Sequence, residues 1–308
     1  MRSIPEAAEL IGLTTIERPE DFEANIGRFL AWQRSLPVAE SLLELGKPTT
    51  GAYSVPPEVQ AWFQQSATVA QQIVTVIHES LFSLFGYDRI NRWNAGKAYE
   101  ALLGLLDLTR NIPLAVATTN YDVGAEVGLQ AAGRRTDWGE PQHFQDAQPS
   151  LAIHGLADGW SAYRTPVLHL HGRVGWYLQE DGSVLSIDPR SIYTATLGQP
   201  GLLLPDPDKD YGELPTLNEM WNEFDKLLQG ASHTLVMGHS LHDPRLVERL
   251  RTARNLAVSV YLPDAGDVDP TEVQRVNDLL PSATVVPMTF GPGLRCQTAG
   301  RRAWMEAE

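Results

Sequence analysis

Three apolar runs, each followed at once by polar residues, constrain the fold of this chain more than any other feature. The runs cover residues 112–117, 166–168 and 234–237. Short apolar runs bounded by turn residues are typical of buried β-strands. In an open α/β sheet the carboxyl ends of parallel strands meet at one crevice, where ligands bind. The sequence therefore predicts that the three polar clusters form one site.

From residue 112 onward, predicted strands and helices alternate. Helices are predicted over residues 125–132 and 272–280, a longer one ends at Gly230, and further strands are predicted over residues 257–262 and 284–286. Residues 133–164 are predicted to be a long loop over the site. The alternation indicates an α/β fold with a Rossmann-like, doubly wound parallel sheet.

The first hundred residues have a different pattern. Apolar residues recur three or four apart over residues 59–85, which is typical of a long amphipathic helix, and another helix is predicted over residues 98–108. The predicted organisation is therefore a helical lobe over residues 1–110 that packs on the sheet, a Rossmann-like domain over 111–290, and a C-terminal tail over 291–308.

Composition argues against several classes of function. The net charge is −14 and no stretch is rich in Lys or Arg, so direct nucleic-acid binding is not expected. An anionic cofactor stays compatible, because helix N-termini can hold phosphates. The single cysteine, Cys296, allows neither an intrachain disulfide nor a cysteine-rich zinc site. The absence of an 18-residue apolar run and of a signal peptide predicts a soluble, cytoplasmic protein.

The first polar cluster, residues 118–122, reads Thr-Thr-Asn-Tyr-Asp. Asn120 and Asp122 stand at alternate positions after a strand, so both side chains can point the same way. Asn can orient a water or a sugar hydroxyl, and Asp can accept from ribose or stabilise a developing cation. The alternative is an Asx turn in which Asp122 caps the next helix.

The second cluster is His171 followed by Gly172. A histidine at a strand end suits general acid/base work near neutral pH, and the glycine lets a ligand approach closely. The alternative is a structural histidine. His169 lies two residues earlier and faces the same side, where it either supports His171 or packs.

The third cluster, residues 238–244, reads Gly-His-Ser-Leu-His-Asp-Pro and joins a strand to a helix. Gly238 permits close approach, and the Ser240 hydroxyl can reach a ribose or phosphate near the helix N-terminus. Asp243 is most simply the N-cap of that helix, with Pro244 in its first position. Gly-His-Ser also matches the first half of the nucleophile elbow of serine hydrolases, which makes a serine hydrolase a weaker, additional possibility.

The order and spacing of the three clusters resemble the sirtuin-like family of NAD-consuming domains, in particular its bacterial antiphage-defence branch. The resemblance covers roughly residues 112–262. It implies that Asn120 places the water or the nicotinamide-side ribose, that Asp122 holds the nicotinamide end, and that His171 is the catalytic base. The other residues that it implies for NAD binding are Thr118, Thr119, Gly172, Gly238, Ser240 and Asp243.

Two departures from the family pattern bear on activity. Protein-deacylating members carry a four-cysteine zinc ribbon, which a chain with one cysteine cannot form. The resemblance therefore favours the branch that hydrolyses NAD to nicotinamide and ADP-ribose without a metal. The family also opens with a Gly-Ala-Gly-x-Ser phosphate loop, which does not occur before residue 112. Either a strand precedes the given start, or the chain is a degenerate member with weakened NAD binding.

The expected function is thus an NAD glycohydrolase of antiphage defence, triggered by a sensor or effector subunit or by homo- or hetero-oligomer assembly. Two alternatives stay open. One is a module that binds NAD or an ADP-ribose derivative without cleaving it. The other is a scaffold subunit of a defence complex, in which the apolar stripe over residues 59–85 faces a partner.

Overall fold

The structure is a computed structural model, and part of the chain is described by it. The described residues are 56–59, 61–62, 65, 90–108, 112–137, 164–178, 184–186, 199–203, 215–262 and 268–297. Most of the helical lobe predicted over residues 1–110, including most of the stripe 59–85, lies outside the described residues.

The described helices and strands follow one another in this chain order: α1 Arg92–Leu105, β1 Val116–Thr118, α2 Gly124–Ala131, β2 Arg135–Asp137, β3 Arg164–His169, β4 Gly172–Leu178, β5 Val184–Ser186, β6 Gln199–Leu202, α3 Pro215–Gly230, β7 Thr234–Val236, α4 Pro244–Leu250, β8 Leu256–Val260, α5 Pro270–Leu279, β9 Thr284–Thr289 and β10 Arg295–Cys296. Among these elements no helix is long and apolar enough to cross a membrane.

The first parallel sheet has the strand order β1-β3-β2. Both neighbours run parallel to β3, and Thr118 of β1 pairs with His169 of β3. Helix α2 connects β1 to β2, and it packs against α1 so closely that Gly96 approaches Ala131. Strand β2 falls within the stretch 133–164 that the sequence predicts to be loop, so that prediction is wrong for residues 135–137.

The second sheet has the order β10-β9-β8-β7, in which β7, β8 and β9 are parallel and β10 is antiparallel to β9. Helices α4 and α5 connect the parallel strands. Each begins with an aspartate cap followed by proline, Asp243 before α4 and Asp269 before α5. Strand β8 is buried along nearly its whole length, as a strand covered on both faces must be. Strand β10 lies inside the segment 291–308 that the sequence assigns to a tail.

A third, antiparallel sheet with the order β5-β4-β6 is inserted between β3 and α3. The sequence does not predict it, because Trp176 and Tyr177 interrupt the strict alternation that marks a strand with one solvated face. Both residues are buried. One buried cluster nevertheless joins all three sheets through α3, and the indole nitrogen of Trp221 donates to the main-chain oxygen of Leu170 at 3.0 Å.

The fold class predicted from the sequence is confirmed at the level of a mixed α/β architecture with parallel strands. The predicted single sheet appears among the described strands as two parallel sheets and one antiparallel sheet. The two parallel sheets share the core cluster, since Leu168 of β3 and Val258 of β8 both belong to it.

Candidate active site

The first two polar clusters lie side by side because β1 and β3 are neighbours in register. Beyond the paired ends of these strands, the main-chain N–H of Leu170 donates to the oxygen of Thr118 at 2.9 Å. The N–H of Val174 donates to the oxygen of Tyr121 at 2.8 Å. The loop that carries Asn120 is therefore fixed along the turn that carries His171.

A side-chain contact brings the third cluster to the same place. His171 Nε2 lies 2.8 Å from Asp243 Oδ2, and both residues are buried. The other carboxylate oxygen of Asp243 accepts from the main-chain N–H groups of Arg245 and Leu246, at 3.0 and 3.3 Å. Asp243 is thus the N-cap that the sequence predicts, and the same carboxylate links the β3–β4 turn to the second parallel sheet.

The Asp243 contact assigns a chemical form to His171. An ionised carboxylate only accepts hydrogen bonds, so Nε2 carries the proton in the neutral ring and Nδ1 is its basic nitrogen. The turn is fixed further by the N–H of Leu203, which donates to the His171 oxygen at 2.8 Å. The Trp221 ring centroid lies 6.4 Å from that of His171 and supports the imidazole from the core side.

Asn120, in the first cluster, is exposed. Its main-chain N–H donates to the Thr118 hydroxyl at 3.0 Å, which fixes the backbone and not the amide. Thr118 and Thr119 are half-buried. Gly172 is buried and has φ of +85°, a conformation that residues with a Cβ rarely adopt.

Asp122 is half-buried, and its Oδ1 accepts from the main-chain N–H of Gly124 at 2.6 Å. This contact is the Asx-type turn at the start of α2 that the sequence allows as an alternative. Burial raises the pKa of the Asp122 carboxyl, while the hydrogen bond from Gly124 and the charge of His169 oppose that rise. The carboxylate is therefore a poorly solvated charge beside the strand ends.

A buried ionic cluster that the sequence does not predict connects α2 to β3 and β4. Glu126 Oε1 lies 3.0 Å from His169 Nε2 and accepts from Arg173 Nε at 2.9 Å. All three side chains are at most 5% exposed. The sequence carries little signal for this cluster: Arg173 directly follows the His-Gly pair, but Asp122 precedes α2, so no helix spacing links Glu126 to it.

Tyr121 is a second residue that the sequence does not single out. Its hydroxyl donates to the main-chain oxygen of Leu203 at 2.5 Å. Burial raises the pKa of this hydroxyl, so it remains a donor. Leu203 follows β6, and its N–H also donates to the His171 oxygen, so this one residue connects the antiparallel sheet to the loops that carry Tyr121 and His171.

The loop between β7 and α4 is tightly shaped. Gly238 is exposed with φ of +62°, and Leu241 has φ of +56° while its side chain is buried. His239 Nδ1 accepts from the Leu241 N–H at 2.7 Å, which holds this uncommon backbone conformation. Ser240 is exposed, and its main-chain oxygen accepts from Arg275 at 2.8 Å.

The geometry therefore assembles a buried histidine with an aspartate partner, a poorly solvated carboxyl and an exposed amide at the carboxyl ends of parallel strands. Within the part of the chain that the structure describes, no group of three or more His, Cys, Asp or Glu side chains is placed to hold a metal ion. The arrangement can transfer a proton and stabilise a positive charge. No model of a known protein family matches the sequence, and no curated protein matches it either.

Proposed function

We propose that this chain is a sirtuin-like NAD glycohydrolase that cleaves NAD to nicotinamide and ADP-ribose. The observation that carries the proposal is the 2.8 Å contact between His171 and Asp243. It joins the His-Gly turn of one parallel sheet to the Gly-His-Ser loop of the other, as a site built from three strand ends requires. We further infer that the two parallel sheets belong to one Rossmann-like, doubly wound arrangement.

In this proposal the bond between nicotinamide and C1′ of the ribose breaks first, and nicotinamide leaves with the electron pair as a neutral base. The sugar left behind has oxocarbenium character. Asp122 supports this cation, because a carboxylate with little hydration interacts strongly with a developing positive charge. The burial that raises the pKa of Asp122 therefore also strengthens the interaction of its carboxylate with the cation.

Water completes the reaction. The exposed amide of Asn120 orients a water molecule, the water oxygen bonds to C1′, and its proton passes to Nδ1 of His171. Asp243 holds the imidazole in the required tautomer and stabilises the imidazolium that forms. The products are nicotinamide, ADP-ribose and one proton, so atoms and charge balance.

The remaining predicted residues bind the substrate in this proposal. Gly238 and Ser240 are exposed in the loop before α4 and line the adenosine and phosphate side. Thr118, Thr119 and Gly172 form the wall nearest the nicotinamide ribose. Asp243 acts through His171, since its carboxylate already serves the imidazole and the α4 amides. We place the activity in the cytoplasm, in antiphage defence, where a partner subunit or self-assembly raises the basal activity of the chain.

The experiment combines calorimetric titration with NAD and chromatography of the products. The unmodified chain should bind NAD and release nicotinamide, and Asn120→Ala should bind NAD while releasing nicotinamide at least about tenfold more slowly. Asn94→Ala, on the exposed face of α1, is the matched control and should behave like the unmodified chain. Binding without nicotinamide release would favour a non-enzymatic NAD-binding module. A chain that neither binds NAD nor releases nicotinamide would contradict the proposal.

A further inference from the structure

Glu126 occupies a position from which one side chain reaches both sides of the candidate catalytic turn. It lies in the first turn of α2, whose N-cap is Val123, and it follows Asp122 by four residues. Its side chain is 3% exposed. A carboxylate buried to this extent is costly unless donors surround it.

The donors that surround Glu126 belong to the two strands that His171 connects. His169 is the last residue of β3 and contacts Glu126 Oε1 at 3.0 Å. Arg173 is in β4 and donates to the same oxygen at 2.9 Å. His169 lies two residues before His171, and Arg173 lies two residues after it. Glu126 therefore bridges the two sides of the turn that carries His171.

The charges of His169 and Arg173 stabilise the buried carboxylate of Glu126. Burial alone would raise the pKa of the Glu126 carboxyl, but the charges of His169 and Arg173 and their hydrogen bonds lower it to about 2. The carboxylate is therefore ionised near neutral pH. Removing it takes one carboxylate acceptor from the buried guanidinium of Arg173 and weakens the link between α2 and β4.

We propose that Glu126 is a positioning residue for NAD cleavage, holding the turn that carries His171 at a fixed distance from the start of α2, which Asp122 directly precedes. This inference rests on the proposed function. Glu126 does not contact NAD in this account. It acts on the rate because small displacements of a reacting group reduce the fraction of productive encounters.

The test compares Glu126→Gln with the unmodified chain in three respects: kcat, KM for NAD, and the NMR signal of the His171 Cε1–H, assigned by its loss in His171→Gln. We expect kcat to fall about 10- to 100-fold, with KM changed by less than about threefold, since substrate binding is untouched. The His171 signal should shift. The matched control is Glu100→Gln, which removes an exposed carboxylate paired with Lys97 and should change none of the three.

A folded Glu126→Gln variant with unchanged kcat and an unchanged His171 signal would overturn the inference. Should that variant not fold, Arg173→Lys keeps the positive charge, removes the Nε donor and should show the same pattern with a smaller loss; unchanged kcat and signal there would equally overturn it. If the unmodified chain releases no nicotinamide, the proposed function fails, and the His171 signal still decides whether Glu126 fixes the turn.

Discussion

Helices α1 and α2 approach each other so closely at Gly128 that a methyl group has no room there. A Cβ on Gly128 would lie 2.2 Å from Tyr99 Cδ2, 2.6 Å from Tyr99 Cε2 and 3.2 Å from the main-chain oxygen of Ala95. Unstrained contacts between carbon atoms are about 3.5–4.0 Å. The substitution Gly128→Ala must therefore displace the Tyr99 ring or separate the two helices.

The size of the effect follows from what holds Tyr99. Its ring packs edge-on against Phe290 with centroids 5.3 Å apart, and it covers the cluster formed by Leu129 and Val167. Overpacking of this kind costs about 1–3 kcal/mol, and loss of the aromatic contact adds about 0.5–1.5 kcal/mol. Replacing glycine by alanine inside a helix returns about 1 kcal/mol. Gly128→Ala should therefore lower the free energy of unfolding by about 1–3 kcal/mol.

Urea unfolding followed by tryptophan fluorescence measures this change, and Gly104→Ala is the matched control. Gly104 is in α1, and a Cβ there would have nothing within 4 Å, so the same substitution should stabilise the protein by up to about 1 kcal/mol. In a Tyr99→Leu background, Gly128→Ala should cost less, because the ring that it strikes is gone. A Gly128→Ala variant as stable as Gly104→Ala would refute the reasoning.

Three further predictions concern the site itself. Asp243→Ala removes the α4 cap and the acceptor of His171, so urea unfolding should show a loss of about 2–4 kcal/mol. Gly238→Ala should cost about 1–2 kcal/mol through its φ of +62° alone, whereas Gly230→Ala, with open space and no such φ, should cost nothing; thermal unfolding of the two variants compares them. The pKa of Glu126 is lowered from 4.5 to about 2, so its contribution to stability is complete above pH 4.5 and is lost as the pH falls from there toward 2. Unfolding free energies across that window should fall by about 3 kcal/mol more in the unmodified chain than in Glu126→Gln, and equal slopes would contradict this.

The sequence predicts the parallel strands and the helices of the second sheet well, because each of these elements carries a local signal, whereas β10 is not predicted. The strands are short continuous apolar runs, and both helices begin with an Asp-Pro pair, at Asp243 and Asp269, whose capping role depends only on neighbouring residues. The predicted helix over residues 272–280 corresponds to α5, Pro270–Leu279, and the strand over 284–286 extends in the structure to Thr289.

The antiparallel sheet and strand β2 could not be predicted in the same way. Strand β2 has the sequence Arg-Thr-Asp, which has no apolar face, and it forms because β3 offers a parallel neighbour. In β4, the adjacent residues Trp176 and Tyr177 break the period-two pattern. These strands depend on pairing with distant segments, which no local pattern encodes.

In the candidate site, too, the features that depend on local sequence are predictable, and the contacts between distant residues are not. Asn120, His171 and Ser240 are placed by strand ends, which hydrophobic runs mark in the sequence. The contact between His171 and Asp243 joins residues 72 positions apart, and the Glu126 cluster joins α2 to β3 and β4 across more than 40 positions. Such pairings follow from sheet order and helix packing, so the sequence identifies His171 and Asp243 but not their contact, and it does not single out Glu126 or Arg173.

The most direct test of the central claim is the rate of nicotinamide release from NAD by the unmodified chain and by His171→Ala, with NAD affinity measured by titration of both. His233→Ala is the control, because His233 directly precedes β7 and lies at its amino end, not at the carboxyl end that faces the candidate site. We expect release by the unmodified chain and by His233→Ala, and a loss of at least about 100-fold in His171→Ala with retained NAD affinity. Equal release by the unmodified chain and His171→Ala, or no release by the unmodified chain, would contradict the central claim.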